Sequence, residues 1–164
     1  MFDVLAYVCD NANPNDCGPH ADQLVCQLNA VGFEAEQINA ALAWLHALQV
    51  TAQTLRFTAS PTELPLQGML RPCALSVRVY PPFEQRHLGA QCLAFIASLE
   101  AHGALPAHVR EVVLERAMAT PGVPLALEDL KLIVRMVCTK LEFDPGAHIW
   151  AKLGAFSSVT PVLH

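Results

Sequence analysis

The side chains of this chain best suited to binding a metal lie within its first 26 residues. Cys9, Cys17, His20 and Cys26 could together supply the three thiolates and one imidazole of a tetrahedral zinc site. Their spacing matches no compact zinc-binding motif, and Cys26 falls in the middle of a predicted helix. We therefore interpret these four as incidental residues, with zinc binding as the alternative, and we expect no cofactor.

The sequence contains none of the motifs that mark the common hydrolases and nucleotide-binding enzymes. Gly-x-Ser-x-Gly, Gly-x-x-x-x-Gly-Lys and His-Glu-x-x-His are all absent. His102 and His108 flank a predicted helix break, and Glu111 and Glu115 lie one helical turn apart. No set of polar partners accompanies either pair, so we interpret both as solvent-facing and predict that the protein is not an enzyme.

Charge is distributed unevenly along the chain. Residues 1–55 contain six Asp or Glu and no Lys or Arg, whereas residues 56–164 contain nine acidic and ten basic side chains. Neither part has the basic excess of a protein that binds nucleic acid through its electrostatic field. Charged residues make up only 15% of the chain, below the ~25% of an average domain. We therefore expect some apolar surface to remain exposed and to bind a partner.

Apolar residues recur with helical spacing over most of the chain, which predicts a mainly α protein. The predicted helices are Met1–Cys9, a helix from Ala21 or Asp22 to Val31, Glu34–Leu48, a helix from Pro82 to His102, a helix that begins at Pro106, residues 126–141, and a short helix that carries Ile149, Trp150 and Leu153. A turn at Gly32-Phe33 separates the second helix from the third, as in a helix-turn-helix. The third helix carries Glu34 and Glu36 at its start, where a DNA-reading helix needs cations.

Two short segments alternate apolar and polar residues, which predicts half-buried strands. They are Leu55–Ala59 and Leu75–Tyr80, and the Pro-rich segment Ser60–Cys73 between them predicts a long hairpin tip. Three helices followed by a β-hairpin have the order of a winged helix.

We therefore predict an N-terminal winged-helix-like lobe, consisting of a three-helix unit with a β-hairpin, over residues 1–80. A C-terminal helical bundle is predicted over residues 81–155 and a short tail over residues 156–164. Pro81-Pro82 is the predicted boundary between the two lobes, since it ends the second strand and suits the first turn of a helix. The alternative is that both lobes share one core.

The sequence shows no targeting or membrane-spanning segment. Its first residues carry Asp3 and lack the positive charge of a secretion signal. The longest charge-free run, Gln37–Leu55, contains amides and an imidazole that would be costly in lipid. We expect a soluble, cytoplasmic protein that does not bind membranes.

Several short segments, in their order and spacing, resemble the Smg family of bacterial proteins. They are Met1–Leu5, the Gly32-Phe33 turn, Ala41–Leu45, Ser76–Tyr80, Leu127–Lys131 and the terminal Leu163-His164. The resemblance extends over nearly the whole chain. It implies a cytoplasmic bacterial protein without an established activity, and it supplies no catalytic residues.

Two binding hypotheses remain for the function, and we favour the first. In the first, the protein is a protein-interaction module or self-associates. Trp44 lies among small residues on the outer face of the third helix and would bind a partner helix there. The alternative position for Trp44 is inside the protein, against a neighbouring helix or the hairpin.

The second hypothesis is a winged-helix nucleic-acid binder. Its contacts would come from the hairpin, where Arg56, Arg71 and Arg78 are accompanied by a single acidic residue, Glu63. The charge of the whole chain disfavours this function. The alternative role of these arginines is to keep an exposed strand edge soluble.

Overall fold

The structure of the protein, a computed structural model, describes residues 1–11, 21–58 and 78–146 together with Ile149. Within these residues all regular structure is helical. The helices are α1 (Phe2–Asn11), α2 (Ala21–Val31), α3 (Ala35–Thr58), α4 (Pro82–Ala101), α5 (Ala107–Met118) and α6 (Leu127–Lys140). The prediction of a mainly α protein is therefore confirmed.

The predicted β-hairpin is wrong, and with it the winged-helix-like lobe. Leu55–Thr58 form the last turn of α3, which extends ten residues beyond the predicted end at Leu48. Residues 78–80 form no strand, nor does any other residue in the described part of the chain. The segment from Leu48 to Thr58 contains neither Gly nor Pro, so the helical hydrogen bonding of α3 propagates through it and outweighs a five-residue alternation. The predicted tip, Ser60–Cys73, lies outside the described residues.

A single hydrophobic core joins the helices of both predicted lobes. Its fully buried members include Val4 and Leu5 from α1, Leu28 from α2, Ile38 and Leu48 from α3, Ile96 from α4, Val113 from α5 and Ile133 from α6. Helix α6 lies at the centre, where it packs against α1, α3, α4 and α5. Its apolar residues cover more than half of its circumference, and this breadth allows contact with neighbours on several sides.

The turn between α2 and α3 forms where the sequence predicts it. Gly32 adopts a φ of 99°, a left-handed conformation that favours glycine. The backbone N–H of Phe33 then donates to the carbonyl oxygen of Leu28 at 3.2 Å. The ring of Phe33 meets Tyr7 of α1 edge to face, with 5.9 Å between the ring centroids, so the turn also docks α1.

Helix α4 is interrupted at Gly89, which has φ 71° and ψ 167°. The loop between α5 and α6 packs against this interruption. The N–H of Leu125 donates to the carbonyl oxygen of His87 at 2.7 Å, and the thiol of Cys92 donates to the carbonyl oxygen of Leu125 at 3.4 Å. A Cβ atom at position 89 would lie 3.3 Å from the Cβ of Pro124, so the backbone conformation favours glycine and an added Cβ would also make a tight contact.

We expect Gly89→Ala to lower the free energy of unfolding by about 1–3 kcal/mol, because its backbone conformation is essentially closed to other residues. Gly103→Ala is the control. Gly103 also has a positive φ of 68°, but nothing lies within 4 Å of an added Cβ, so a loss of about 1 kcal/mol is expected. Urea unfolding followed by circular dichroism measures both values. Equal losses in the two variants would contradict a specific role for the Gly89–Pro124 approach.

Candidate partner-binding surface

The structure places Trp44 inside the protein, which is the alternative position considered for it above. The indole is only 4% exposed, and its Nε1–H donates to the carbonyl oxygen of Arg116 at 3.0 Å, linking α3 to α5. In this conformation the indole has no surface to offer a partner helix. The outer face of α3 keeps its exposed small residues, Ala40 and Ala43, without an aromatic side chain among them.

The periodicity of α3 contains the signal for this position. Ala41, Trp44, Leu45 and Leu48 are all buried and follow the spacing i, i+3, i+4 and i+7 of one helical face. Trp44 therefore belongs to the core face by spacing alone. Its assignment to the outer face followed from its size and its alanine neighbours, which do not determine direction.

Of the three arginines assigned to a nucleic-acid interface, only Arg78 has its side chain in the described part of the structure. Arg56 lies in the last turn of α3, but its side chain is outside the described residues, as is all of Arg71. The side chain of Arg78 is 20% exposed. Arg78 is therefore the arginine whose contacts can be compared with the predicted role in binding nucleic acid.

Arg78 is held by two carboxylates and an aromatic ring. Its Nη1 and Nη2 donate to Glu84 at 2.6 and 3.1 Å, and its Nε lies 3.0 Å from Oε1 of Glu111. The guanidinium carbon lies 4.8 Å from the centroid of the Tyr80 ring, within the range of a cation–π contact. The hydrogen bonds to Glu84 are the main cause of a raised Arg78 pKa. This arrangement ties the segment before α4 to both α4 and α5.

A second arginine extends the cluster. Arg110 donates through Nη2 and Nε to Oε1 of Glu111, at 2.7 and 3.0 Å, and through Nη1 to Glu100. We call these five residues the arginine–glutamate network: Arg78, Arg110, Glu84, Glu100 and Glu111. Its two guanidinium groups are already paired with carboxylates, so part of their hydrogen-bonding capacity and their charge is taken up within the protein.

Two large apolar side chains project into solvent next to this network. Val79 is 85% exposed and Phe83, in the first turn of α4, is 54% exposed. The backbone around them is fixed, because Gln85 donates through its side chain to the carbonyl oxygen of Tyr80 at 2.7 Å and through its backbone N–H to that of Pro81 at 3.1 Å. Arg78 and Tyr80 turn inward and Val79, between them, turns outward. We call Val79 and Phe83 the α4 patch.

Two of the four candidate zinc ligands lie among the described residues. Cys9 lies in α1 and Cys26 is exposed on α2, whereas Cys17 and His20 lie outside the described residues. Within the described ranges, no three His, Cys, Asp or Glu residues are grouped as metal ligands.

Cys92 and Cys138 lie on apolar helix faces as predicted, and both are fully buried. Burial raises the pKa of both thiols, that of Cys138 to about 12.

The comparisons with known proteins identify relatives but no activity. Residues 1–156 match the DUF494 family, described as a protein of unknown function. The chain is 46% identical over 153 residues to a Protein Smg homolog of Leptothrix cholodnii, covering 93% of each chain. It is 43% identical over 153 residues to one of Methylibium petroleiphilum, again covering 93% of each, and 39% identical over 144 residues to one of Bordetella petrii, covering 88% of each. No solved structure matches.

One further observation bears on membranes. No helix among the described residues has both the length and the apolar character that crossing a bilayer requires.

We expect Trp44→Phe to lower the free energy of unfolding by about 1–3 kcal/mol, because it leaves the buried carbonyl oxygen of Arg116 without its side-chain donor. Thr139→Val is the control. It removes a hydroxyl that donates to the Arg135 carbonyl oxygen at 2.9 Å on an exposed helix face, where water can replace the bond. Urea unfolding of the three proteins measures the difference. A Trp44→Phe protein as stable as the control would show that the hydrogen bond contributes nothing.

We expect a maleimide at neutral pH to label Cys26 rapidly and to leave Cys92 and Cys138 unmodified. Cys26 is exposed, whereas burial keeps the other two thiols protonated as well as inaccessible. Peptide mapping by mass spectrometry gives the labelled fraction at each site, and labelling in denaturant serves as the control for complete reaction. Labelling of native Cys138 as fast as that of Cys26 would contradict its position in the core.

Proposed function

This chain belongs to the Smg family, the DUF494 family of unknown function, and from its surface we propose that it is a non-catalytic protein-interaction module of the bacterial cytoplasm. The observation that supports the proposal is the α4 patch. Single exposed apolar residues are normal on any protein surface. Two large ones, at 85% and 54% exposure, on one fixed segment favour a contact surface.

The rigidity of the α4 patch supports binding. Arg78, the residue before Val79, is held by Glu84. Tyr80, the residue after Val79, is held through its carbonyl oxygen by the side chain of Gln85. A segment that is already ordered loses little conformational entropy when a partner binds, so more of the contact energy contributes to affinity.

The arginine–glutamate network supports binding of a protein rather than nucleic acid or catalysis. Arg78 and Arg110 are paired with carboxylates, and the chain carries a net charge of −5. Glu84 and Glu111 in turn accept hydrogen bonds from guanidinium groups, so neither is poised as a general base. The exposed surface beside the network includes the apolar side chains of Val79 and Phe83.

The proposal is tested by affinity purification from the native bacterium with a Val79→Ser/Phe83→Ser variant. We expect this variant to recover at least about tenfold less of each partner than the wild type, because each of the two apolar side chains buried at a contact contributes about 1–2 kcal/mol and about 1.4 kcal/mol is tenfold in affinity. Mass spectrometry with isotope-labelled standards measures the recovery.

The matched control is Val31→Ser/Val50→Ser, which alters two apolar residues exposed elsewhere, at 52% and 47%. It should recover partners as the wild type does. Circular dichroism verifies that all three proteins are folded. Equal recovery by the wild type and the α4 patch variant would exclude the patch as the contact surface.

A further inference from the structure

We propose that the α4 patch binds an acidic segment of its partner and that Arg86 provides the charge that selects it. This inference rests on the proposed function, since it concerns the same surface. It adds the chemical class of the partner, namely a carboxylate close to an apolar side chain.

Arg86 is exposed and lies one helical turn after Phe83, on the same face of α4. The residues three and four positions before and after it are Pro82, Phe83, Gly89 and Ala90. None of these carries a charge, so α4 offers Arg86 no intrahelical ion pair. Phe83, which is 54% exposed, lies three positions before it on this face.

Most of the other described cations are paired with a carboxylate. Five of them form ion pairs with carboxylates: Arg78, Arg110, Arg116, Lys131 and Arg135. Within the described part of the chain, no carboxylate lies within ion-pair distance of Arg86. Among the described residues, Arg86 is therefore a positive charge without a carboxylate partner, and it lies beside exposed apolar surface.

The arginine–glutamate network beside Arg86 has three carboxylates for two guanidinium groups, but none of these carboxylates lies within ion-pair distance of Arg86. Glu84 is buried, at 8% exposure, and holds Arg78. Glu100 and Glu111 hold Arg110. Although the chain is anionic overall, the start of α4 presents the guanidinium of Arg86, which has no carboxylate partner among the described residues, together with Val79 and Phe83.

This combination fits an acidic protein segment better than nucleic acid. A guanidinium can bind one carboxylate through two parallel hydrogen bonds, while Phe83 and Val79 cover a neighbouring apolar side chain. Nucleic-acid affinity is built from several phosphate contacts, and the described part of this surface supplies a single unpaired cation. The apolar residues would gain little from a phosphate backbone.

The experiment uses the full chain and two short fluorescent peptides that differ only in charge. One alternates Glu with Leu and Phe, and the other has Lys in place of every Glu. Fluorescence anisotropy is measured for the wild type, Arg86→Glu, and the control Arg135→Gln, which removes a cation that is paired with Asp10 on a different helix.

We expect the wild type and the control to bind the Glu peptide with equal affinity and to bind the Lys peptide far more weakly. Arg86→Glu should weaken binding of the Glu peptide by about tenfold or more, because a charged hydrogen-bonding partner is lost and a repulsion is introduced. Added salt should reduce the difference between wild type and variant. Equal binding of both peptides, or no effect of Arg86→Glu, would overturn the inference.

Two further measurements identify other occupants, and either result would overturn the inference. One is a wild-type dimer in light scattering that Arg86→Glu dissociates, since the occupant would then be a second copy of this chain. The other is binding of a single-stranded oligonucleotide that Arg86→Glu abolishes. In the affinity purification, loss of partners with Val79→Ser/Phe83→Ser but not with Arg86→Glu would refute only the charge selection. No loss with either variant would refute the proposed function itself.

Discussion

The fold depends on satisfying the carboxyl end of α5, which lies inside the core. The last carbonyl groups of a helix have no intrahelical donors, and leaving them unbonded in an apolar interior is costly. Trp44 donates to the carbonyl oxygen of Arg116, while His87 and Thr120 bond to that of Ala117. For His87 this requires the tautomer with a proton on Nε2. These bonds bring α3, α4 and the loop after α5 to one point, so the helices of both halves share a single core.

The interruption of α4 at Gly89 follows from the same packing. The loop between α5 and α6 approaches α4 so closely that a Cβ at position 89 would lie only 3.3 Å from the Cβ of Pro124. The carbonyl oxygen of His87 is then bonded by the N–H of Leu125 from this loop. The first turns of α4 are thereby joined to the end of α5 on one side and, through Arg78 and Glu84, to the preceding segment on the other. The segment that carries Val79 and Phe83 is therefore held by the hydrogen bonds of Arg78 and Gln85.

Sequence reasoning succeeded where the deciding forces are local and failed where they are not. It located the Gly32 turn and the central helix α6, both of which follow from residue type and periodicity. It assigned Leu55–Thr58 to a strand because a five-residue alternation was considered apart from the unbroken helix before it. It placed Trp44 on the outer face of α3 as a partner anchor, with a position inside the protein as the alternative. The structure has that alternative, since Trp44 lies with Ala41 and Leu48 on the buried face.

By itself the sequence determined the helical class, most helix positions, the acidic first third and the resemblance to the Smg family, because each of these depends on residue type, spacing or order along the chain. Only the tertiary structure decided that Trp44 bonds a carbonyl oxygen 72 residues away, that Arg78 is neutralised by Glu84 and Glu111, and that Val79, Phe83 and Arg86 remain exposed. Whether a side chain is paired, buried or free depends on which distant segments pack against it. Neither its chemical type nor its position in the sequence carries that information.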